Sequence, residues 1–463
     1  MSLHVHDYRR PHLAGIVDGA VLMHREMATM LLNEGALPHD LARGPAALAP
    51  LLAGDDRDTV YAGSGPYAYL YHLWRERHGG SFRIVREVHT TFWSGYWTQE
   101  ELCGPLLRDG DLALFPSEYT RQVFVRCFSG LGPDNSAVAY PMLDRLPRRP
   151  PVASPAPSEP LRIGYLGALS AAKNFDQVLG VFSRVYQASG GLASLTFAGK
   201  PNEPRFEPAR LLADLSSAGI RPQHVTARGV LRPDQLDAFF RDIDVLLFPS
   251  TASRESLGRV LVEALAHGVP VLAADIGPAV ELLPVANLLP TTLRAETIFT
   301  MGRVEALGRI HEDVAADLLL RRAYQPARLT VTEPYRNEAL RAALAGSATP
   351  LNPSHDRRIL EALRVDERAG GERGHALECA ERLFMDYYQR RDQPIVEAIE
   401  ALERADGAPR PDLRAVVTRR DRNLADYRAF PKLLDALVLA PLTYRLGTVV
   451  APAREGRKER GVS

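Results

Sequence analysis

Four side chains in this 463-residue sequence have the type and spacing to do chemistry together: Glu255, Glu263, Lys173 and His89. Glu255 is followed at once by Ser256, Leu257 and Gly258, and Glu263 comes seven intervening residues later. A carboxylate accepts hydrogen bonds from neighbouring hydroxyls, the groups that a ribose or a hexose presents. A helix that begins at Gly258 offers unpaired N–H groups and a positive dipole end, which suit a phosphate. Gly258 lacks a side chain and allows close approach to the backbone. Lys173 lies in a strand-to-helix loop, Gly167 to Asn174, from which an ammonium can reach a diphosphate as a point charge. A capping acid, a solvated helical Glu and an exposed lysine are the plain alternatives for these residues.

The elements that must hold them are legible in the apolar pattern. Val245 to Phe248 and Val269 to Ala274 are continuous apolar runs, as expected of strands covered on both faces. Between them Val260, Leu261, Ala264 and Leu265 mark a helix over roughly Gly258 to His267. Strand, loop, helix and strand make a parallel βαβ unit. Glu255 then projects into the crevice beyond the carboxyl end of a strand, where open α/β sheets bind ligands. Phe82 to Val88 is a further strand, and His89 stands at its carboxyl end, facing the crevice. For His89 two readings stay open, a reacting group or a structural histidine bonded to a carbonyl. Phe92, Trp93, Tyr96 and Trp97 follow, suited either to packing or to stacking on an acceptor.

The string from Glu255 through Glu263 to Ala264-Leu265-Ala266-His267-Gly268-Val269-Pro270-Val271 resembles the nucleotide-diphosphate end of the retaining GT-B glycosyltransferases of the GT4-like group, also called glycosyltransferase group 1. The resemblance is good from about Leu161 to Glu281 and weaker from Val60 to Val125. It implies an α/β fold of two Rossmann-like, doubly wound lobes facing a central cleft. It implies that Glu255 approaches the donor sugar, that Glu263 holds the ribose, and that His89 lies beside sugar and acceptor. Gly167, Ser256, Leu257 and Gly258 would bind the donor, and Gly229 and Val230 would touch the base. Two departures stand out. The family places an Arg after the glycine of the first loop, where this chain has Ala168, with Arg254 and Arg259 as candidates to replace it. The family's glycine-rich loop near the N-terminus is reduced to His12-Leu13-Ala14-Gly15.

The rest of the chain divides around this unit. Residues 1–146 form the first, acceptor-side lobe, with strands at Leu3 to Val5, Thr59 to Ala62 and Asp111 to Ser117, and helices over Gly15 to Leu32 and Tyr67 to Arg77. Gly63-Ser64-Gly65-Pro66 is a turn. Residues 147–160 are a proline-rich linker. Residues 161–350 form the donor-side lobe, with strands Leu161 to Leu166, Ala193 to Ala198 and Val225 to Val230. Residues 351–463 are a mainly helical extension, with helices over Arg357 to Leu363, Ala376 to Tyr388 and Gln393 to Arg404. The pattern D-x3-F-P-S occurs twice, at Asp111 to Ser117 and at Asp244 to Ser250, one in each half, as two similar lobes would give.

Composition bounds the rest. The chain is too long for one core. Its 56 basic and 56 acidic residues balance, so nothing drives it towards nucleic acid. Three widely spaced cysteines, Cys103, Cys127 and Cys379, form neither a disulfide framework nor a zinc pattern. With no apolar leader in MSLHVHDYRR and no spanning run, a cytoplasmic location is expected. Leu433 to Pro452, backed by Arg454, Arg457, Lys458 and Arg460, suits packing on its own protein or weak contact with a membrane surface. The expected partners are an NDP-sugar donor and an acceptor that is a small molecule, a glycan or lipid-linked. No cofactor and no metal are expected, in keeping with the metal-independent family. The alternative to catalysis is a nucleotide-sugar-binding or scaffold protein that has lost it, motivated by Ala168.

Overall fold

The computed structural model describes residues 2–6, 19–54, 57–63, 67–294, 296–298, 304–346, 357–363, 365–366, 373–420, 422, 429–439, 445–446 and 448–450. The His12 to Gly15 loop, Ser64 to Pro66 and the basic end from Arg454 to Arg460 lie outside them.

The first lobe is built on six strands: β1 (Leu3–His6), β2 (Leu37–His39), β3 (Thr59–Ala62), β4 (Arg83–Glu87), β5 (Leu112–Phe115) and β6 (Ser136–Val138). They pair in parallel in the order β2-β1-β3-β4-β5-β6. The second lobe holds β7 (Leu161–Leu166), β8 (Ala193–Ala198), β9 (Val225–Ala227), β10 (Val245–Phe248), β11 (Val271–Ala274) and β12 (Leu288–Leu289). These are also parallel, in the order β12-β11-β10-β7-β8-β9. Every residue of β5, β10 and β11 is buried, because helices cover both sheet faces; this is why those strands read as unbroken apolar runs. The two facing α/β lobes are the GT-B arrangement expected from the sequence.

The lobes are not copies. Counted from β7, the second sheet has the 3-2-1-4-5-6 order of dinucleotide-binding sheets, which reverses direction between β7 and β10. The first has a flavodoxin-type 2-1-3-4-5 order extended by β6, and reverses between β1 and β3. Ligands collect beyond the carboxyl ends of strands at such reversals. In the second lobe the loops there are those after β7 and β10, which carry Lys173 and Glu255.

The two D-x3-F-P-S segments do the same job at their acidic ends. Asp111 accepts from the backbone N–H of Ile84 at 3.0 Å, at the start of β4, and from both terminal nitrogens of Arg75 at 2.8 and 2.7 Å. Asp244 accepts from the N–H of Arg162 at 2.8 Å, at the start of β7, and from the same residue's guanidinium at 2.5 Å. Each aspartate thus pins its strand to the parallel neighbour.

Some boundaries differ from expectation. β9 ends at Ala227, so Arg228 to Val230 is loop; the backbone turns at Gly229, with φ 65°. Residues 147–160 contain no helix or strand yet are docked on the second lobe, since Arg149 N–H donates to Ala266 O and Val152 N–H to Gly268 O, at 3.0 and 2.7 Å. The chain has crossed back to the first lobe well before residue 350. Tyr140 and Met142 donate to Pro334 O and Tyr335 O at 2.9 and 3.0 Å, and the Arg83 guanidinium caps the helix Asn337–Leu344 at Leu344 O and Ala343 O. The helices Arg373–Tyr388 and Phe430–Leu434 also pack there. Trp74 Nε1 donates to Glu381 at 2.6 Å, and Tyr67 meets Tyr388 at 2.8 Å and the Phe430 ring at 5.7 Å. Leu433 and Leu434 are fully buried, and Thr448–Val450 pairs with Glu296–Ile298.

Candidate active site

The site grows from two loops at the reversal of the second sheet. After β7 the chain passes Gly167 and reaches Ser170, whose hydroxyl caps a short turn by accepting from Lys173 N–H at 3.3 Å. Asn174 then adopts a left-handed conformation, φ 52°. Its buried amide donates to Pro249 O, Thr251 Oγ1 and Gly308 O, each at 3.0 Å. Those bonds clamp the loop after β7 to the loop after β10, and they fix where the neighbouring Lys173 stands. The Lys173 ammonium forms an ion pair with Glu255 Oε2 and lies 5.7 Å from the Phe248 ring centroid. Ser250 Oγ donates to the same carboxylate oxygen at 3.1 Å. Lys173 and Glu255 keep only 23% and 17% of their side-chain surface exposed. A cavity beside them is lined by Tyr119 of the first lobe and by Phe248, Ser250, Glu255 and Gly277 of the second.

Gly258 caps the helix Arg259–Ala266 from a left-handed conformation, φ 68°, with no side-chain cap. A Cβ there would be strained and would meet Leu261 at 3.0 Å. Leu257 is buried, so its backbone is what it can offer a ligand. Ser256 turns its hydroxyl to the first lobe, donating to His89 O at 2.5 Å. Glu263 is buried and receives Arg259 Nε at 2.7 Å; Arg259 also reaches Glu26 of the first lobe at 3.4 Å. Burial opposes the charge on Arg259, but Glu263 and Glu26 outweigh it and hold the guanidinium above its ordinary pKa. Arg259 is thus engaged by two carboxylates rather than standing ready to replace the arginine missing at Ala168. Gly229 O accepts from Gly199 N–H at 2.8 Å, beyond the ends of β8 and β9, while Val230 is about half exposed.

The first lobe reaches the same loop. Thr91 Oγ1 donates to Glu255 O and Thr120 Oγ1 to Ser256 O, both at 3.0 Å, and Ser117 Oγ also bonds Ser256 O. His89 is thereby brought against the segment that carries Glu255. Its ring is buried, 5.9 Å from that of Tyr140 and 6.2 Å from that of Tyr96, and its Nε2 bonds Glu87 Oε2. The bond is to a carboxylate rather than to a backbone carbonyl. His24 Nδ1 meets the same oxygen at 2.8 Å. Burial raises the Glu87 carboxyl, but His89 and then His24 outweigh it and hold it below the usual range. Burial lowers His24, partly offset by Glu87.

His24, Glu87 and His89 bring three side-chain atoms of metal-ligating type within 4.8 Å of one another, a grouping the sequence reading did not foresee. The sequence hid them, since position 24 is remote from positions 87 and 89. Phe92, Trp93, Tyr96 and Trp97 are packed, with Trp97 5.0 Å from the Phe128 ring and 5.8 Å from that of Phe124. Glu281 is a further bridge between lobes. Its carboxyl accepts from the N–H groups of Glu118 and Tyr119 at 3.0 and 3.1 Å, and burial pushes its pKa up to about 8. Sequence reading missed Asn174, Ser250, Glu87, His24 and Glu281; the Pro-Ser ending of β10 was the one local signal, and it pointed to Ser250. All three cysteines are free thiols. Among the described residues no helix is long and apolar enough to cross a membrane.

Residues 151–286 match the family described as Glycosyl transferases group 1. A GDP-mannose-dependent alpha-(1-6)-phosphatidylinositol monomannoside mannosyltransferase of Mycobacterium tuberculosis is 30% identical over 253 residues, covering 50% of this chain and 61% of the relative. A D-inositol 3-phosphate glycosyltransferase of Segniliparus rotundus is 32% identical over 130 residues, covering 28% of this chain and 27% of the relative. The chain therefore spans less than two thirds of the curated relatives it matches. Solved structures aligned with it include Anabaena Alr3699/HepE in complex with UDP-glucose, at 17% identity and TM-score 0.43, covering 75% of this chain and 93% of that one. The pneumococcal O-GlcNAc transferase GtfA in complex with UDP and GlcNAc aligns at 14% identity and TM-score 0.43, covering 69% and 57%. Residues 151–286, which run from the linker through most of the second lobe, are thus similar to the glycosyl transferases group 1 family.

Proposed function

We propose that this chain is a glycosyltransferase that moves a hexose-type sugar from a nucleotide diphosphate sugar to an acceptor hydroxyl, with retention of anomeric configuration. The observation that carries the reading is the Lys173–Glu255 ion pair at the reversal of the second sheet. An arriving diphosphate competes for the Lys173 ammonium and releases Glu255 to the sugar hydroxyls. The N–H groups at Gly258 and the lysine then face the charge that develops as the diphosphate leaves. That leaving group is a stabilised anion, so the pair of carboxylic acids a glycosidase needs is dispensable. In this reading Glu255, Lys173 and His89 act at the reacting sugar. Gly167, Ser256, Leu257 and Gly258 line the donor, Glu263 holds the ribose, and Gly229 and Val230 meet the base. The similarity of residues 151–286 to the glycosyl transferases group 1 family supports retention, and the free cysteines support a reducing cytoplasmic setting.

The names of the two curated relatives make GDP-mannose the first donor to test, and inositol-containing or phosphorylated acceptors the first acceptors. A true donor at a hundred times its dissociation constant should stabilise the fold by about 2.7 kcal/mol. Lys173→Ala and Glu255→Gln are each expected to lower transfer by roughly a hundredfold or more, the range for one preorganised electrostatic contact. Unchanged turnover in both variants would reject the site. Ala168 favours a second reading, a nucleotide-sugar-binding protein without catalysis. Tight donor binding with no transfer and no sugar hydrolysis across a broad acceptor panel would select it.

A further inference from the structure

Resting on the sugar-transfer reading, we propose that Glu87, supported by His24, is a positioning residue that fixes which nitrogen of His89 faces the cleft. Glu87 and His89 alternate past the end of β4 onto one side of the sheet, and both are buried. His89 Nε2 and His24 Nδ1 bond one oxygen, Oε2, of the same carboxylate. The pocket is closely built: a Cβ on Gly63, just past β3, would lie 2.4 Å from His24 Nδ1 and 2.9 Å from the Glu87 carboxyl carbon. A carboxylate only accepts, so the Nε2 of His89 carries the proton, and in the neutral ring Nδ1 carries the lone pair. Nδ1 is buried and, among the described residues, has no hydrogen-bond partner. A buried acceptor left unmet costs free energy until a donor arrives. The same histidine is held through its carbonyl by Ser256, and Thr91 two residues on grips the carbonyl of Glu255. The imidazole lone pair is therefore stationed beside the loop that meets the sugar, where it accepts a hydrogen bond from a hydroxyl of the donor sugar or of the acceptor. Arg86, just before Glu87 on β4, is turned away and pairs with Glu100 at 2.7 Å, which leaves Glu87 to the imidazoles.

The test combines a spectrum with a double-mutant cycle on the full chain. In the 15N spectrum of imidazole-labelled protein, His89 is expected as the Nε2–H tautomer, and Glu87→Ala should lose that signature. Glu87→Gln should lower kcat by about ten- to a hundredfold, the range for losing an outer partner that orients a histidine, with little change in nucleotide affinity. In a His89→Ala background Glu87→Gln should cost less than about threefold more, since its effect passes through the ring. The Michaelis constant that rises in Glu87→Gln, donor or acceptor, identifies which hydroxyl meets Nδ1. An Nδ1–H tautomer in the wild-type protein, or losses that multiply in the double variant, would overturn the assignment while transfer by the wild-type chain kept the function standing. A wild-type chain that binds no nucleotide sugar overturns the function itself, and with it the role given to Glu87, whatever the tautomer.

Discussion

The same seven-residue pattern ends differently in the two lobes. In the first, Ser117 caps a helix that begins at the next residue, accepting from Thr120 N–H at 3.2 Å. In the second, Ser250 is followed by residues 251–258 before the helix Arg259–Ala266 starts, and its hydroxyl holds Glu255 instead. The strand and its aspartate are shared; the added loop carries the proposed chemistry. The two ends also meet, since Ser117 bonds the carbonyl of Ser256. A scaffold element can thus be kept for stability in one lobe while its counterpart is extended for function in the other.

The aspartates give the sharpest way to break that comparison. Asp111 and Arg75 are both about 1% exposed, and Asp111→Ala leaves a buried guanidinium uncompensated. A loss of about 3–5 kcal/mol is expected in urea unfolding. Asp244 pairs with an Arg162 that is 45% exposed, so water can replace the lost partner. Asp244→Ala should cost about 1 kcal/mol. Equal costs would show that the two segments are not anchored as their burial implies.

Glu281 offers a test of the seam between the lobes. Burial lifts its pKa to about 8, against about 4.3 for an ordinary glutamate. The neutral form is favoured in the fold, so its stabilising contribution is full below about pH 4 and is lost as pH rises towards 8. Glu281→Gln mimics the neutral form at every pH. Its thermal midpoint, measured against wild type, should gain progressively between pH 5 and pH 8; the same difference at both ends would sink the idea.

The second lobe was far more legible than the first. Its strands Leu161–Leu166 and Ala193–Ala198 were read to the residue, because both sheet faces are covered and the apolar runs stop where the loops begin. The Glu255-to-Glu263 spacing is local, and so survived as a motif. In the first lobe the sheet order differs, and His24, Glu87 and Gly63 meet only through tertiary packing. Phe92 to Trp97 could be read either as a stacking surface or as packing until burial decided for packing.

By itself the sequence determined what depends on neighbours along the chain: two α/β halves, the strand ends and the acid-bearing loop into a helix. Tertiary structure alone decided what depends on neighbours across it. It set the two sheet orders, the clamp of Asn174 on the loop after β10, the capture of Arg259 by Glu263 and Glu26, and the carboxylate that two histidines share. Backbone propensity and apolar period act over a few residues, whereas hydrogen bonds between buried side chains answer only to proximity in space.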